Sequence, residues 1–93
     1  MFVIAFDLSV AAAQKHHPKG DRQAYQDIKA TLNSLGFERV QGSVYVAKEE
    51  DLAKLFLAVD ALRKLEWFGP SVKSLRAFRM EQGADLTGVV KGT

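Results

Sequence analysis

The sequence contains no cysteine, and this absence excludes several kinds of site. Without thiols the chain cannot form disulfides, a cysteine nucleophile or a cysteine-ligated zinc or iron–sulfur centre. Small secreted domains usually depend on disulfides, so we expect a cytoplasmic protein. The longest apolar run, from Met1 to Phe6, is far too short to span a bilayer, so we expect no membrane partner.

A strong excess of one charge is also lacking. The 13 lysines and arginines nearly balance the 11 aspartates and glutamates, which leaves a formal net charge of +2. A strongly basic chain would indicate nucleic-acid binding; this balance does not, although local basic patches matter more than the sum. A length of 93 residues is enough for one domain with a thin core, and pairing with a second copy would bury more surface.

Hydrophobic periodicity predicts a β-α-β-β-α-β order of elements. The predicted segments are a strand over 1–8, a loop over 9–20, a helix over 21–35, a hairpin over 37–47, a helix over 49–65 and a strand over 72–80. This order is typical of a ferredoxin-like α+β sandwich over residues 1–80, with two helices on one face of a four-stranded antiparallel sheet. We expect the tail, 81–93, to dock on this domain or on a partner chain.

The first strand has two apolar faces. Because side chains alternate along a strand, Phe2, Ile4, Phe6 and Leu8 share a bulky face, and Val3, Ala5 and Asp7 share a slimmer one. If the bulky face packs on the helices, an apolar sheet face remains uncovered. The simplest cover is the same face of a second copy, so we expect a homodimer.

Asp7 is the one charge in this apolar strand. A lone carboxylate is costly to bury unless it is paired or bound to a metal. On a two-fold interface Asp7 could approach its own symmetry mate, and the two carboxylates would share a proton or bind a cation. From position alone, however, the commoner case is an aspartate that ends the strand and caps the following loop.

Two further groups of residues have both a functional and a structural interpretation. His16 and His17 are adjacent, so they point apart and do not form a zinc pair; they are solvated loop residues or a general acid or base on a loop. Arg39, Arg76 and Arg79 lie on predicted strands near aromatic residues, a combination that can hold phosphate and stack bases. Ordinary ion pairing at strand edges is the alternative.

Four segments resemble one known family. They are Phe-Val-Ile-Ala-Phe-Asp-Leu at 2–8, the hairpin from Gly36 to Val46, Leu-Glu-Trp-Phe at 65–68 and Arg-Ala-Phe-Arg at 76–79. These segments resemble virulence-associated protein D (VapD), and the similarity extends over nearly the whole chain. VapD proteins resemble in turn the second CRISPR-associated (Cas) nuclease family, in which the first strand also ends in an aspartate and a Gln-x-Ser-Val-aromatic segment follows the first helix.

The resemblance implies a ferredoxin-like homodimer with two aspartates at its interface. It also implies ribonuclease activity and, in some bacteria, a toxin that acts beside a small antitoxin protein. On this basis Asp7 is the predicted catalytic residue. Arg39, Ser43 and Tyr45 are predicted RNA contacts, although these matches also serve the fold, and Arg79 is added to offset phosphate charge.

These residues suggest a mechanism with one open alternative. Asp7 from each chain would hold one hydrated Mg²⁺, an ion that needs only one or two carboxylates besides substrate phosphates. The alternative is metal-free cleavage through the RNA 2′-hydroxyl, with Asp7 or a loop histidine as the base. The expected substrate is single-stranded or loop RNA. A non-catalytic dimer that binds a small protein partner, or RNA binding without cleavage, would be a different class of function.

Overall fold

The computed structural model describes residues 1–81, which form a four-stranded antiparallel sheet with helices packed on it. The elements are β1 (Phe2–Leu8), α1 (Val10–His16), α2 (Asp21–Asn33), β2 (Glu38–Gln41), β3 (Val44–Ala47), α3 (Leu52–Arg63), α4 (Phe68–Ser71) and β4 (Val72–Arg79). The strand order is β2-β3-β1-β4, and every neighbouring pair is antiparallel. This topology confirms the predicted α+β class and is compatible with a ferredoxin-like arrangement.

Two predictions concern the limits of this domain. Apart from Glu81, the tail whose docking was predicted lies outside the described residues. In the part of the chain from 1 to 81, no helix combines the length and the apolar character needed to cross a bilayer.

The core lies on one face of β1, as the alternation predicts. Ile4, Phe6 and Leu8 are buried in a single cluster, and Phe2 packs against it. The same cluster contains the buried residues of both long helices: Ala24, Ile28 and Leu32 from α2, and Leu55, Ala58 and Leu62 from α3. Both helices therefore cover the same sheet face, and burial of these apolar side chains stabilises the domain.

Within residues 1–81 both long helices pack on that one side of the sheet, and we call the other side the open face. Residues directly opposite one another on paired strands share a face, which allows the members to be read from the register. They are Val3, Ala5 and Asp7 of β1, Val44 and Val46 of β3, and Ser74, Arg76 and Phe78 of β4. Its centre is apolar, and the Phe78 side chain is 47% exposed. The prediction of a second apolar face is confirmed.

The segment 9–20, predicted as a loop, instead contains the helix α1. Three consecutive alanines follow Val10, and alanine has the highest helix propensity of all residues. The Ser9 hydroxyl accepts a hydrogen bond from the Ala12 N–H at 3.1 Å, which caps the helix. Pro18 cannot continue the helix, and Gly20 adopts a φ of 89° that turns the chain into α2. The prediction of a loop was wrong, because it gave Pro18 and Gly20 more weight than the run of alanines.

The second long helix begins later than predicted, and the stripe of residues that it buries is narrow. Asp51 caps α3 by accepting a hydrogen bond from the Lys54 N–H at 3.2 Å, so the helix starts at Leu52. Phe56 and Leu57 are exposed, because the buried arc is set by Leu55, Ala58 and Leu62. An apolar residue next to such an arc on a helix still points to solvent.

Candidate functional site

Asp7 lies at the end of β1 on the open face, where it is exposed and stands opposite Ser74 of β4. The register between β1 and β4 shifts between Asp7 and Leu8, so that Leu8 pairs with Val72 and Lys73 is the extra residue. Bulges of this kind increase the local twist and often occur beside active sites, where they aim a side chain. β4, the strand that carries the extra residue, is therefore expected to bend beside Asp7.

The surroundings of Asp7 do not match the structural alternative. The hydroxyl of Ser9, not the carboxylate of Asp7, caps the helix that follows the strand. No ion pair found within residues 1–81 involves Asp7. Over the same residues no group of three or more acidic or histidine side chains could hold a metal ion. Among the described residues, Asp7 is therefore a carboxylate without an ion-pair partner.

Arg76 is a basic residue on the same face as Asp7, whereas Lys73, the extra residue of the bulge, is closer to Asp7 in the register of the sheet. Arg76 lies opposite Ala5, on the open face, while Asp7 lies opposite Ser74 one step further along the same face. The sequence identified Arg76 only as one of several strand arginines, because the imperfect alternation of β4 did not assign its faces. The signal that would have placed it is the pairing with β1, which the sequence alone does not give.

Three of the predicted RNA contacts come together in one groove. It lies between α2 and the β2–β3 hairpin and has a volume of about 400 Å³. We call it the hairpin groove; its lining residues are Tyr25, Gln26, Lys29, Arg39, Gly42, Ser43 and Tyr45. Cationic, hydroxyl and aromatic side chains around one hollow are a chemistry suited to a phosphate-bearing chain with bases.

The hairpin fixes the groove and joins it to the strand of Asp7. The Arg39 Nε donates a hydrogen bond to the Gly42 carbonyl at 2.7 Å, which holds the guanidinium against the turn. The Phe6 N–H donates to the Ser43 carbonyl at 3.1 Å, one residue before Asp7. The groove and Asp7 therefore lie at the same end of β1. Arg39, however, lies on the helix-covered face of the sheet, whereas Asp7 lies on the open face.

Tyr45 borders the groove but is only 3% exposed. Its ring stacks on Phe6 in the core, with ring centroids 6.2 Å apart. Burial raises the pKa of the Tyr45 hydroxyl, and the positive charge of Arg39 opposes this shift more weakly. The hydroxyl therefore stays protonated as a hydrogen-bond donor, whereas the ring face is occupied by Phe6 and does not offer a base the stacking surface that was predicted.

Arg79, the fourth predicted RNA contact, lies elsewhere. It pairs with Phe2 at the opposite end of β1, and four residues of β4 lie between it and Ser74, a span of roughly 17 Å. Its guanidinium forms an ion pair with the Glu50 carboxylate at 3.0 Å. The structure does not bring Arg79 together with Asp7 or with the hairpin groove.

The two histidines separate in the way that adjacent residues do. His16 is exposed at the end of α1, but His17 is only 7% exposed, so the expectation of a solvated pair is wrong for His17. Its Nδ1 accepts a hydrogen bond from the Lys19 N–H at 2.9 Å, and its Nε2 lies 2.6 Å from Asp27 Oδ2. Because both ring nitrogens are engaged, His17 has no free lone pair with which to act as a base.

Comparison with known proteins identifies a family for this chain. The family model described as CRISPR associated protein Cas2 matches residues 1–87. The endoribonuclease VapD homolog of Neisseria gonorrhoeae is 52% identical over 91 residues, covering 98% of this chain and 99% of that protein. The endoribonuclease VapD of Haemophilus influenzae is 50% identical with the same coverage, and that of Helicobacter pylori is 42% identical over 93 residues, 98% of this chain and 99% of that protein.

The fold and the match define a protein of the CRISPR-associated Cas2 class. Within this class the chain belongs to the VapD family, as the identity over almost the full length of each relative shows. The resemblance identified from the sequence is confirmed.

The contact between Asp27 and His17 gives a pH prediction. Hydrogen bonds from Gln23 and then from His17 lower the pKa of Asp27 below its ordinary value of 3.8. A carboxyl whose pKa is depressed by folding contributes stability above its unfolded pKa and loses it as the pH falls through the folded value. We expect Asp27→Asn to flatten the loss of stability below about pH 4, as measured by urea unfolding at a series of pH values. An acid limb identical to that of the parent would contradict this account.

Proposed function

We propose that this chain cleaves single-stranded RNA at a centre formed by the two Asp7 carboxylates of a homodimer. It is an endoribonuclease, as its matches at 42–52% identity along the whole chain indicate. The proposal adds where the cut is made. The observation that supports this centre is Asp7 itself, an exposed carboxylate with no ion pair inside the described range, at the end of an apolar sheet face.

The dimer follows from the chemistry of the open face. Phe78 is 47% exposed, Ala5 and Val46 beside it are half-buried, and Val3 beneath them is buried. An exposed apolar patch of this kind usually marks an interface. In a two-fold interface the same surface meets itself, so each residue near the axis lies near its own copy. Pairing through the open face with the two-fold axis beside Asp7 would bring the two Asp7 side chains to one place.

Two nearby carboxylates fit the needs of phosphodiester cleavage. The Asp7 pair would hold Mg²⁺, which takes one or two carboxylates together with substrate phosphates and, when bound, offsets phosphate charge and acidifies a water. Arg76, on the same face, would offset the charge that develops on the phosphate. Without a metal, Asp7 would take the proton of the RNA 2′-hydroxyl; the 2′-oxygen then bonds to phosphorus as the bond to the 5′-oxygen breaks, and the leaving 5′-oxygen takes a proton from water.

Replacing the carboxylate tests its role. We expect Asp7→Asn to lower the rate of RNA cleavage by roughly 100-fold or more, because the amide neither accepts a proton nor ligates a cation well. The fold should be retained, since the side chain is exposed. The rate is measured on a labelled single-stranded RNA, and circular dichroism checks the fold.

Glu66→Gln is the matched control, because Glu66 is an exposed carboxylate in the connection between α3 and α4. It should cleave as the parent does. Unchanged cleavage by Asp7→Asn would show that Asp7 is not catalytic. If the parent cleaves no RNA and a small protein co-purifies with it, the chain is an interaction module; if it binds RNA without cleaving it, it is a binding protein.

Chelation distinguishes the two chemistries. We expect EDTA to stop cleavage and added Mg²⁺ to restore it, since a cation would balance the two carboxylates and the phosphate. The measurement is the cleavage rate with and without chelator, together with the chemistry of the product ends. Full activity in EDTA, with 2′,3′-cyclic phosphate ends, would replace the metal with the 2′-hydroxyl route.

A charge on the open face tests the dimer. Phe78→Glu should give a monomer by light scattering and lose activity, because an unpaired carboxylate would be buried in the apolar interface. Mixing parent and Asp7→Asn subunits gives the second test: if both carboxylates are needed, activity falls as the square of the parent fraction. A stable parent monomer with full activity would contradict the shared centre.

The resemblance further predicts a toxin role with a small antitoxin partner. A protein encoded beside this chain that binds the dimer and suppresses cleavage would support that prediction.

A further inference from the structure

The hairpin groove continues into a second hollow. This hollow has a volume of about 500 Å³ and is lined by Lys29, Asn33, Gly36, Glu38, Arg39 and Val40. Lys29 and Arg39 line both hollows, one from α2 and the other from β2. The two hollows therefore adjoin at Lys29 and Arg39 beside the edge strand β2, and we call them together the channel.

The charge of the channel is positive and available. Neither Lys29 nor Arg39 forms an ion pair with any group in residues 1–81, and both side chains are exposed. Glu38 is the one acid in the lining described here, and it pairs with Val46, on the opposite side of β2 from Arg39. Two cations without a salt bridge beside a groove attract an anion more strongly than the net charge of the chain suggests.

An aromatic side chain stands one helical turn from the lysine. Tyr25 and Lys29 are four residues apart on α2, so they occupy the same side of the helix. Unlike Tyr45, Tyr25 is only partly buried, and it lines the hairpin groove. Phosphate-binding cations that alternate with an accessible aromatic ring are the recurring chemistry of single-stranded nucleic-acid channels.

We propose that this channel holds the single-stranded RNA that flanks the cleaved bond. A phosphate lies between Lys29 and Arg39, and a base packs on Tyr25. The inference rests on the proposed function and adds a binding site to it. Ser43 lines the channel and is hydrogen-bonded to Phe6, the residue before Asp7, so the channel and Asp7 lie at the same end of β1. An RNA chain that leaves Asp7 would pass the hairpin turn and enter the channel.

The proposal separates binding from cleavage. Lys29 and Tyr25 would hold nucleotides outside the reacting bond, so their loss should raise KM for long RNA far more than it lowers kcat. It also predicts a preference for substrates with a single-stranded flank. An RNA too short to reach the channel would gain nothing from these residues.

The test measures affinity in a background that leaves the RNA intact. Fluorescence anisotropy follows a labelled, 2′-O-methylated single-stranded RNA as it binds to Asp7→Asn, with and without Lys29→Ala. We expect Kd to rise about threefold to tenfold and the slope of log K against log salt to fall by about one. Tyr25→Leu should weaken binding by about fivefold or more, whereas Tyr25→Phe, which keeps the ring, should not.

Lys64→Ala is the matched control, because it removes the same charge at the end of another helix, α3, where Lys64 pairs with Asp60 at 3.1 Å. It should bind RNA as the Asp7→Asn background does. Parent-like affinity and salt slope for Lys29→Ala would overturn the channel, as would equal weakening by Lys64→Ala. Displacement of the RNA by poly-glutamate at equal charge would also overturn it, because the surface would then bind any anion.

These outcomes are independent of the catalytic centre. If Asp7→Asn still cleaves unmodified RNA, the proposed centre is wrong, but the methylated RNA still reports on the channel. If Lys29→Ala binds normally while Asp7→Asn is inactive, the channel is wrong and the proposed centre stands.

Discussion

The two-residue alternation of β1 is the constraint on which the rest of the structure depends. β1 lies between β3 and β4, so neither of its edges is free, and its side chains can point only to the helices or to the open face. Ile4, Phe6 and Leu8 anchor the core, and the alternation then directs Asp7 away from it. A shift of one residue would place the carboxylate in the core and expose the aromatic side chains. The energetics of folding thus fix the direction of the acid.

The parts of the fold with strong periodicity were predictable from sequence. Both long helices, the hairpin and the strands β1 and β4 were predicted, because the apolar residues of each recur at the spacing of a helix or of a strand. The helix α1 was missed, because local alanine propensity and the Ser9 cap compete there with turn residues that stand further along the chain. The exposure of Phe56 could not be predicted either, because the spacing of apolar residues indicates which side of a helix is buried but not how wide the buried stripe is.

The candidate site was predictable only where one element determines it. The face of Asp7 follows from a single strand, and the proximity of Arg39 and Ser43 follows from a single hairpin. Arg76 and Arg79 depend on how β4 pairs with β1, a long-range register that no local pattern contains. The burial of His17 depends on Asp27 of the next helix and on Trp67, whose ring lies 4.9 Å from the imidazole.

The ion pair between Arg79 and Glu50 lies at the end of β1 remote from the carboxylate of Asp7. The two ends of β1 therefore lie beside different groups: a surface ion pair at one end, and the carboxylate proposed to react at the other. Substitutions at the ion-paired end can change stability slightly, since surface pairs contribute little, while they leave the proposed reactive end as it is.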